Sequence, residues 1–431
     1  MQRLMMPAPV IKSRSTVTQQ QQVVATVPRS SVTRQQQVMA TVPRSPVTQQ
    51  RQVAMSQPKH DETQHMIRVE SNDVIIENEI VVSNVTAKQK TTAAHDYVNG
   101  MHMYITVYPL RGRFGNQMFQ YAALQGLAQL THHTPKFTCS SSLIESYPFI
   151  AANCVPPERL ESHIASSENS VTFNASLLCM YEPWLVEQAT SENQRHIVIS
   201  GYLQSWKYFQ NVSSILHKHF QFNAHVTHYA KEYLLSMLDQ YKQNNVNVTG
   251  DVTTIGVHVR RGDFLKPIIQ KVGLLPASLD YFHTAMNYFR TDYCAETHCV
   301  FIVASDDVTW CRENLLAQDV IIIADHETAV TSLEPVSDVQ RDMSLLRLVE
   351  HNIISTGTFS WWVGWFTPGQ VVYYKNYMRK GSRQDQNFTA ENFFMPHWIG
   401  IYSASTSGAT TCEMRVLLAY FLSIFSVIYG K

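Results

Sequence analysis

From Asp251 onward, apolar runs of strand length alternate with stretches of helix length, a pattern that few folds accommodate. Expected strands at 254–261, 299–304, 320–323, 353–355 and 370–374 are separated by expected helices at 278–290, 308–317, 338–350 and 358–366. Such alternation predicts a parallel sheet covered by helices on both faces. In these sheets ligands sit outside the carboxyl ends of the strands. Arg260, the run from Ser305 through Asp306 to Asp307, and the run from Thr356 to Ser360 all fall at such ends, so they are expected to share one crevice.

The first of these strands reads IGVHVRRGDF, from Ile255 to Phe264. Successive side chains of a strand point in opposite directions, so Ile255, Val257 and Val259 share one face, and Gly256, His258 and Arg260 the other. A buried strand that delivers two arginines points to an anionic ligand, above all a diphosphate, because the planar guanidinium fork matches phosphate oxygens. Alternation puts Arg260 with His258 and starts Arg261 on the opposite face, which makes Arg260 the expected ligand contact. The competing reading pairs both arginines with surface carboxylates. A third takes Arg261, Gly262 and Asp263 as an adhesion tripeptide, but that needs an exposed mobile loop, not the end of an apolar strand.

With 431 residues, 45% of them hydrophobic and 11% aromatic, the chain has room for two domains with sizeable cores. Lys and Arg balance Asp and Glu at 34 each, so no global field draws nucleic acid or an anionic membrane, and any anion site is local. Sequons at Asn84, Asn174, Asn211, Asn247 and Asn387 exceed chance and favour a luminal protein. Seven cysteines allow one to three disulfides and leave at least one thiol, with Cys294 and Cys299 the closest pair. No CxxC or HExxH spacing is present, so no zinc site is expected.

Residues 1–60 form a Gln/Ser/Thr/Pro-rich arm in which VTQQQQVVATVPRS recurs with a period of 15, and a disordered or stalk-like state is expected. No signal peptide or anchor is expected ahead of it, since Met1 to Lys12 lacks an apolar run. Residues 61–101 stay an unassigned linker or stem, with a candidate strand at 74–82. An N-terminal domain is expected over 102–250 and a second over 251–400, with the polar stretch 243–251 between them. The tail 401–431 holds fourteen mostly apolar residues, Val416 to Tyr429, fewer than the about 20 that a spanning helix needs. A docked helix or short tail is expected there.

The first domain opens with a strand-like run, Met103 to Pro109, then a glycine-bearing turn and a helix through Leu130, an arrangement that turns a helix N-terminus towards a ligand. A further strand, His196 to Gly201, leads into Tyr202 to Phe209. The aromatic run Trp361, Trp362 and Trp365 reads as helix packing ahead of sugar stacking.

Six segments taken in order, GRFGNQMFQYA (from Gly112), GYLQSWKYF (from Gly201), HVRRGDF (from His258), ASDDVTWCREN (from Ala304), DMSLL (from Asp342) and STGTFSWWVGWF (from Ser355), resemble the galactoside α-1,2-L-fucosyltransferase family over Tyr108 to Trp398. The resemblance implies a GT-B-like α/β architecture, with two Rossmann-like domains whose parallel sheets face each other across a cleft. It implies a GDP-fucose donor held mainly by the C-terminal domain, a galactose-terminated glycan acceptor, inversion at the anomeric carbon, no metal or other cofactor, and residence in the Golgi lumen with membrane association. A binding protein without turnover on the same fold, or a fucosyltransferase of other linkage, are the alternatives. The family is normally anchored by an N-terminal transmembrane segment, and a glutamine-rich arm stands in that position here, so either an incomplete or alternative form or anchoring by the tail Val416 to Tyr429 is expected; the chain also runs past the family's usual end after Trp398.

By the same resemblance Arg260 stabilises the charge that grows on the leaving β-phosphate, with His258 beside it and Arg261 in support. Lysine is not expected to replace Arg260, because a point charge lacks the bidentate fork. Gly115, Asn116 and Gln117 would line the diphosphate from the N-terminal domain. Ser305, Asp306, Asp342, Thr356, Thr358, Phe359 and Ser360 would complete the nucleotide site from the other. An inverting transfer also needs a base near the acceptor hydroxyl, and Asp263, Asp306 and Asp307 are all candidates. The pair Asp306 and Asp307 also admits a metal-binding reading, in which a cation would neutralise the diphosphate.

Overall fold

Two parallel sheets, each carrying helices, make up the computed structural model, which describes residues 103–403 except 167–168, 194, 246–247, 249 and 326–332. The repeat arm, the candidate strand at 74–82, the tail 404–431, the sequons at Asn84 and Asn247, and Cys412 lie outside the described residues.

The first sheet begins with β1 (Tyr104–Val107), all four residues buried. It leads into α1 (Phe114–Thr131), whose buried positions run all round the helix, from Phe114 and Met118 to Leu127 and Thr131. A helix apolar on every side belongs inside the protein. After it come β2 (Thr134–Lys136), α2 (Pro148–Asn153), α3 (Pro157–Ser166), β3 (Ser170–Asn174), α4 (Pro183–Ser191) and β4 (His196–Ser200). The strand order is β2-β1-β4-β3, every pair parallel. The edge strands β2 and β3 are half exposed.

Two helices, α5 (Ser213–His219) and α6 (Ala224–Asn244), lead to the second sheet. Its elements are β5 (Val252–Val259), α7 (Pro267–Val272), α8 (Leu279–Asp292), β6 (His298–Ser305), α9 (Val308–Asn314), β7 (Val320–Ile322), α10 (Asp338–Leu346), β8 (His351–Ile354), α11 (Thr358–Phe366), β9 (Val371–Tyr374), α12 (Ala390–Phe393) and β10 (Ile399–Ile401). The order is β10-β9-β8-β5-β6-β7, again wholly parallel. The expected α/β architecture of two parallel sheets is therefore present, and α11 occupies the residues assigned to it from sequence.

Two helices stop short of their expected ends. The first, α9, ends at Asn314 instead of 317, and α10 ends at Leu346 instead of 350. For α10 the cause is local: the Asn352 side chain donates to the Leu346 carbonyl, while the Glu350 carboxylate accepts from the Thr254 backbone, so the chain has already turned into β8.

Alternation along β5 holds. Ile255, Val257 and Val259 enter a core with α8 and β6, and the opposite face turns to α10 and α11. The larger core is continuous between the sheets: Ile105, Phe119 and Phe209 pack in one cluster with Ile302, Trp361 and Trp362. Trp361 and Trp362 are fully buried and Trp365 stacks on His217 at 4.2 Å, which is the packing role. All described residues belong to one compact unit, Ala87–Lys431. Disulfides join Cys139 to Cys154 and Cys294 to Cys299, while Cys179 and Cys311 are buried thiols. No helix of the described residues is long and apolar enough to cross a membrane.

Candidate active site

Each sheet has one point where the strand order reverses, between β1 and β4 in the first and between β5 and β8 in the second. Loops leaving the carboxyl ends of strands at such a point separate and open a crevice. Residues from all four loops meet in a cleft of about 610 Å³: Gly112 to Asn116 after β1, Tyr202 and Gln204 after β4, Arg260, Asp263 and Phe264 after β5, and Thr356 to Phe359 after β8. Ser305 and Asp306 after β6 and Asp338, Arg341 and Asp342 of α10 extend it.

Two helix N-termini meet at one wall of this cleft. Neither α1 nor α11 has a side chain capping its first turn, so their leading N–H groups are left for another acceptor. Their partial positive charges add up at that point, which favours an anion. Gly115 allows the approach: a Cβ there would lie 2.7 Å from the Phe359 nitrogen and 2.8 Å from the Thr358 carbonyl carbon. The Thr356 hydroxyl, in the same wall, is buried with no hydrogen-bond partner among the described residues.

Arg260 is anchored at both ends. Its backbone N–H donates to Ser355 Oγ at 2.9 Å, and its guanidinium reaches Asp263 at 2.6 Å and Asp306 at 2.7 Å. Asp263 gives its second oxygen to Arg113 at 2.7 Å, so one carboxylate bridges two guanidinium groups. Beneath Arg260, His258 Nδ1 lies 2.5 Å from Ser360 Oγ. Burial, with Arg260 adding to it, pushes the imidazole down to about 3, so His258 is neutral at physiological pH and props the site without carrying a charge.

The structure brings together His258, Arg260, Asp263, Gly115, Asn116, Ser305, Asp306, Asp342, Thr356, Thr358 and Phe359. It places three sequence-assigned residues elsewhere. Gln117 accepts from the Ser142 backbone and the Ser141 hydroxyl and donates to the Gly112 carbonyl; it braces the loop from outside the cleft. Arg261 turns away to Asp307 at 3.0 Å and lies 4.1 Å over the Trp310 ring, as its opposite strand parity requires. Ser360 sits behind the wall, bonded to His258 and Ser355. Asp307 also caps α9 by accepting from the Trp310 N–H, which takes up its other oxygen. Among the described residues no group of three or more His, Cys, Asp or Glu side chains is placed to hold a metal ion.

Sequence reasoning missed Arg113, Gln204, Cys179 and Tyr377. Arg113, next to Gly112, and Gln204, three residues after Gly201, stand inside the motifs GRFGNQMFQYA and GYLQSWKYF and were legible there as polar residues. Cys179 and Tyr377 come from loops without any pattern.

The glycosyl transferase family 11 model matches residues 72–402, most of the chain and all of this cleft. The chain belongs to glycosyl transferase family 11. This family 11 transferase is 30% identical over 312 residues to galactoside alpha-(1,2)-fucosyltransferase 1 of Leontocebus fuscicollis, covering 72% of this chain and 78% of that one. It is 30% identical over 300 residues to the protein of that name from Homo sapiens, covering 69% and 74%. Among solved structures, a mutant of Arabidopsis thaliana FUT1 in complex with GDP aligns with a TM-score of 0.39 at 13% identity, covering 68% of this chain and 75% of the other. Fucosyltransferase NodZ from Bradyrhizobium aligns at 0.37 and 13%, covering 64% and 98%. Among the described residues, the transferase presents to its cleft one arginine of the HxRRGD pair, Arg260, together with Arg113, Arg341 and two uncapped helix starts.

Proposed function

We propose that this glycosyltransferase moves L-fucose from GDP-β-L-fucose, with inversion, to the 2-hydroxyl of a terminal galactose on a glycoprotein or glycolipid glycan. The relatives' shared activity supports the fucosyl group and the linkage. The observation that carries the chemistry is the position of Arg260, fixed by Ser355 in the same cleft as two uncapped helix N-termini. As the bond from the anomeric carbon to GDP breaks, negative charge grows on the β-phosphate. A guanidinium and two helix ends already aimed at that charge stabilise the transition state more than the ground state, which is what accelerates the step.

The guanosine end of the donor is assigned to Ser305, Asp306 and Asp342, where carboxylates can accept from the base and ribose. Asp263 takes the acceptor proton; Asp306, placed here at the guanosine end, has its oxygens on the Arg260 guanidinium and the Arg261 backbone N–H. Asp307 is committed to Arg261 and to α9. Both oxygens of Asp263 are held by arginines, so its use as a base requires one ion pair to open first. No metal is needed in this scheme, since fixed cations face the diphosphate. Two disulfides and exposed sequons at Asn174, Asn211 and Asn387 support a place in the secretory lumen, the Golgi in the family scheme, with membrane association.

Incubating the purified chain with labelled GDP-fucose, EDTA and an array of galactose-terminated glycans tests all of this. Transfer with an α-1,2 linkage in the product is expected. Folded protein without transfer would overturn the activity, another linkage would overturn the acceptor assignment, and transfer only without EDTA would overturn the metal-free scheme.

A further inference from the structure

Gln204 lies at the cleft wall with its side-chain amide placed between two partners. Its Oε1 accepts from the Cys179 backbone N–H at 3.1 Å, and its Nε2 donates to Asn116 Oδ1 at 2.8 Å. The direction of this chain of bonds is forced. A backbone N–H can only donate, so the oxygen of Gln204 must face Cys179, its NH2 must face Asn116, and Asn116 must answer with its oxygen. The Asn116 amide nitrogen is thereby left as the outward donor.

Three backbone features hold the arrangement in place. Gly112, at φ 71, arches over the Asn116 amide so closely that a Cβ would lie 2.1 Å from Nδ2. Cys179 and Leu203, the residues that aim the two halves of the Gln204 contact, have φ values of 56 and 54. Among the described residues only one other non-glycine residue, His132 at the end of α1, has a left-handed φ. Side chains pay for that conformation, and it persists where the surroundings impose it, most often at functional sites.

We infer that Gln204 is a positioning residue of the transfer reaction: it fixes the Asn116 carboxamide with its NH2 towards the cleft, where it donates to a diphosphate oxygen of the donor sugar nucleotide. The inference rests on the proposed use of GDP-fucose. Gln204 itself touches no reacting atom. A flipped Asn116 would aim a carbonyl oxygen at a phosphate oxygen, turning an attraction into a repulsion.

Gln204→Glu tests this through the proton it gains and loses. Ionised, the new carboxylate still accepts from Cys179 but offers Asn116 only an acceptor, and the asparagine flips. Protonated, the same carboxyl donates an O–H to Asn116 Oδ1 and restores the orientation. The titratable groups facing it, the Cys179 thiol and the Tyr377 phenol, are pushed up by burial and stay protonated at neutral and acidic pH; His258, further along the wall, stays neutral. With GDP-fucose as donor, kcat/KM of Gln204→Glu is expected to fall ~10- to 100-fold at pH 8, the cost of one lost hydrogen bond to a charged group, and to regain most of that relative to wild type as pH falls towards 5. Gln204→Met should lose as much with no acid recovery, and Gln204→Glu should cost nothing further in an Asn116→Ala background. Wild-type kcat/KM in Gln204→Met, or a Gln204→Glu loss that is independent of pH and additive with Asn116→Ala, would overturn the positioning role while the fucosyl transfer stands. A folded wild type that does not turn over GDP-fucose would overturn both.

Discussion

His258 shows how one side chain can be read correctly in place and differently in character. Strand parity put it on the Arg260 face, and the structure agrees, but sequence could not show that it is buried and pushed down to about 3. That shift has a stability consequence whose sign is fixed. The unfolded chain binds a proton at His258 near its ordinary 6.5, while the folded chain refuses it until about 3. The contribution is therefore fully present above 6.5 and is lost as pH falls towards 3. Between pH 6.5 and 5 it amounts to about 2 kcal/mol, at about 1.4 kcal/mol per unit. Denaturant titrations at a series of pH values should show a shallower acid slope for His258→Gln than for wild type, whatever the offset between the two. Residue-level legibility followed strand parity. It separated Arg260 from Arg261, although β5 itself ends at Val259, and failed for Gln117, which lies in the first turn of α1, where helical spacing turns Asn116 and Gln117 to different faces.

At the scale of elements, five strands of the second sheet were readable from their buried apolar runs and the helices between them, while β10 and the short helices α7 and α12 were not expected. β2, with the sequence TPK, and β3, SVTFN, carry no such signal. An edge strand is covered on one side only, so little of its sequence is constrained by burial. The contact of α1 with α11 was equally hidden, because nothing in one helix records its distance from another 240 residues away. Gly115 is the exception, a small residue whose reason is the facing backbone. Gly115→Ala should destabilise by about 1–3 kcal/mol, the usual range for overpacking, because the two nearest obstructing atoms, the Phe359 nitrogen and the Thr358 carbonyl carbon, are main chain and cannot rotate aside. A lowered Tm together with weakened GDP binding checks this, and a lowered Tm alone would show that the two helix ends matter for packing only.

At the scale of the molecule, two domains facing a cleft were expected, and two sheets are found, but their cores run into one another. Trp362 Nε1 donates to the Gly115 carbonyl at 3.0 Å, Phe119 packs 4.5 Å from Trp361, and the Tyr233 hydroxyl ties α6 to the Ile323 carbonyl at 2.7 Å. A shared core unfolds as a unit, so calorimetry should give one transition for the region from β1 to β10, and two well-separated transitions would show that the halves are energetically independent. The bridging of Arg113 and Arg260 by Asp263 also bears on the proposed reaction. Asp263 is a tethered counter-ion to both arginines, and a diphosphate bound at Arg260 as proposed would compete with it. In that scheme the return of the carboxylate to the arginines would help to expel GDP. Asp263→Asn should accordingly bind GDP about tenfold or more tightly in a calorimetric titration, the worth of one charge-assisted bond no longer in competition, and should release it more slowly; unchanged affinity would mean that the bridge opens without cost. The enzyme would thus hold its product less tightly than its cations alone would allow, and so clear its cleft between turnovers.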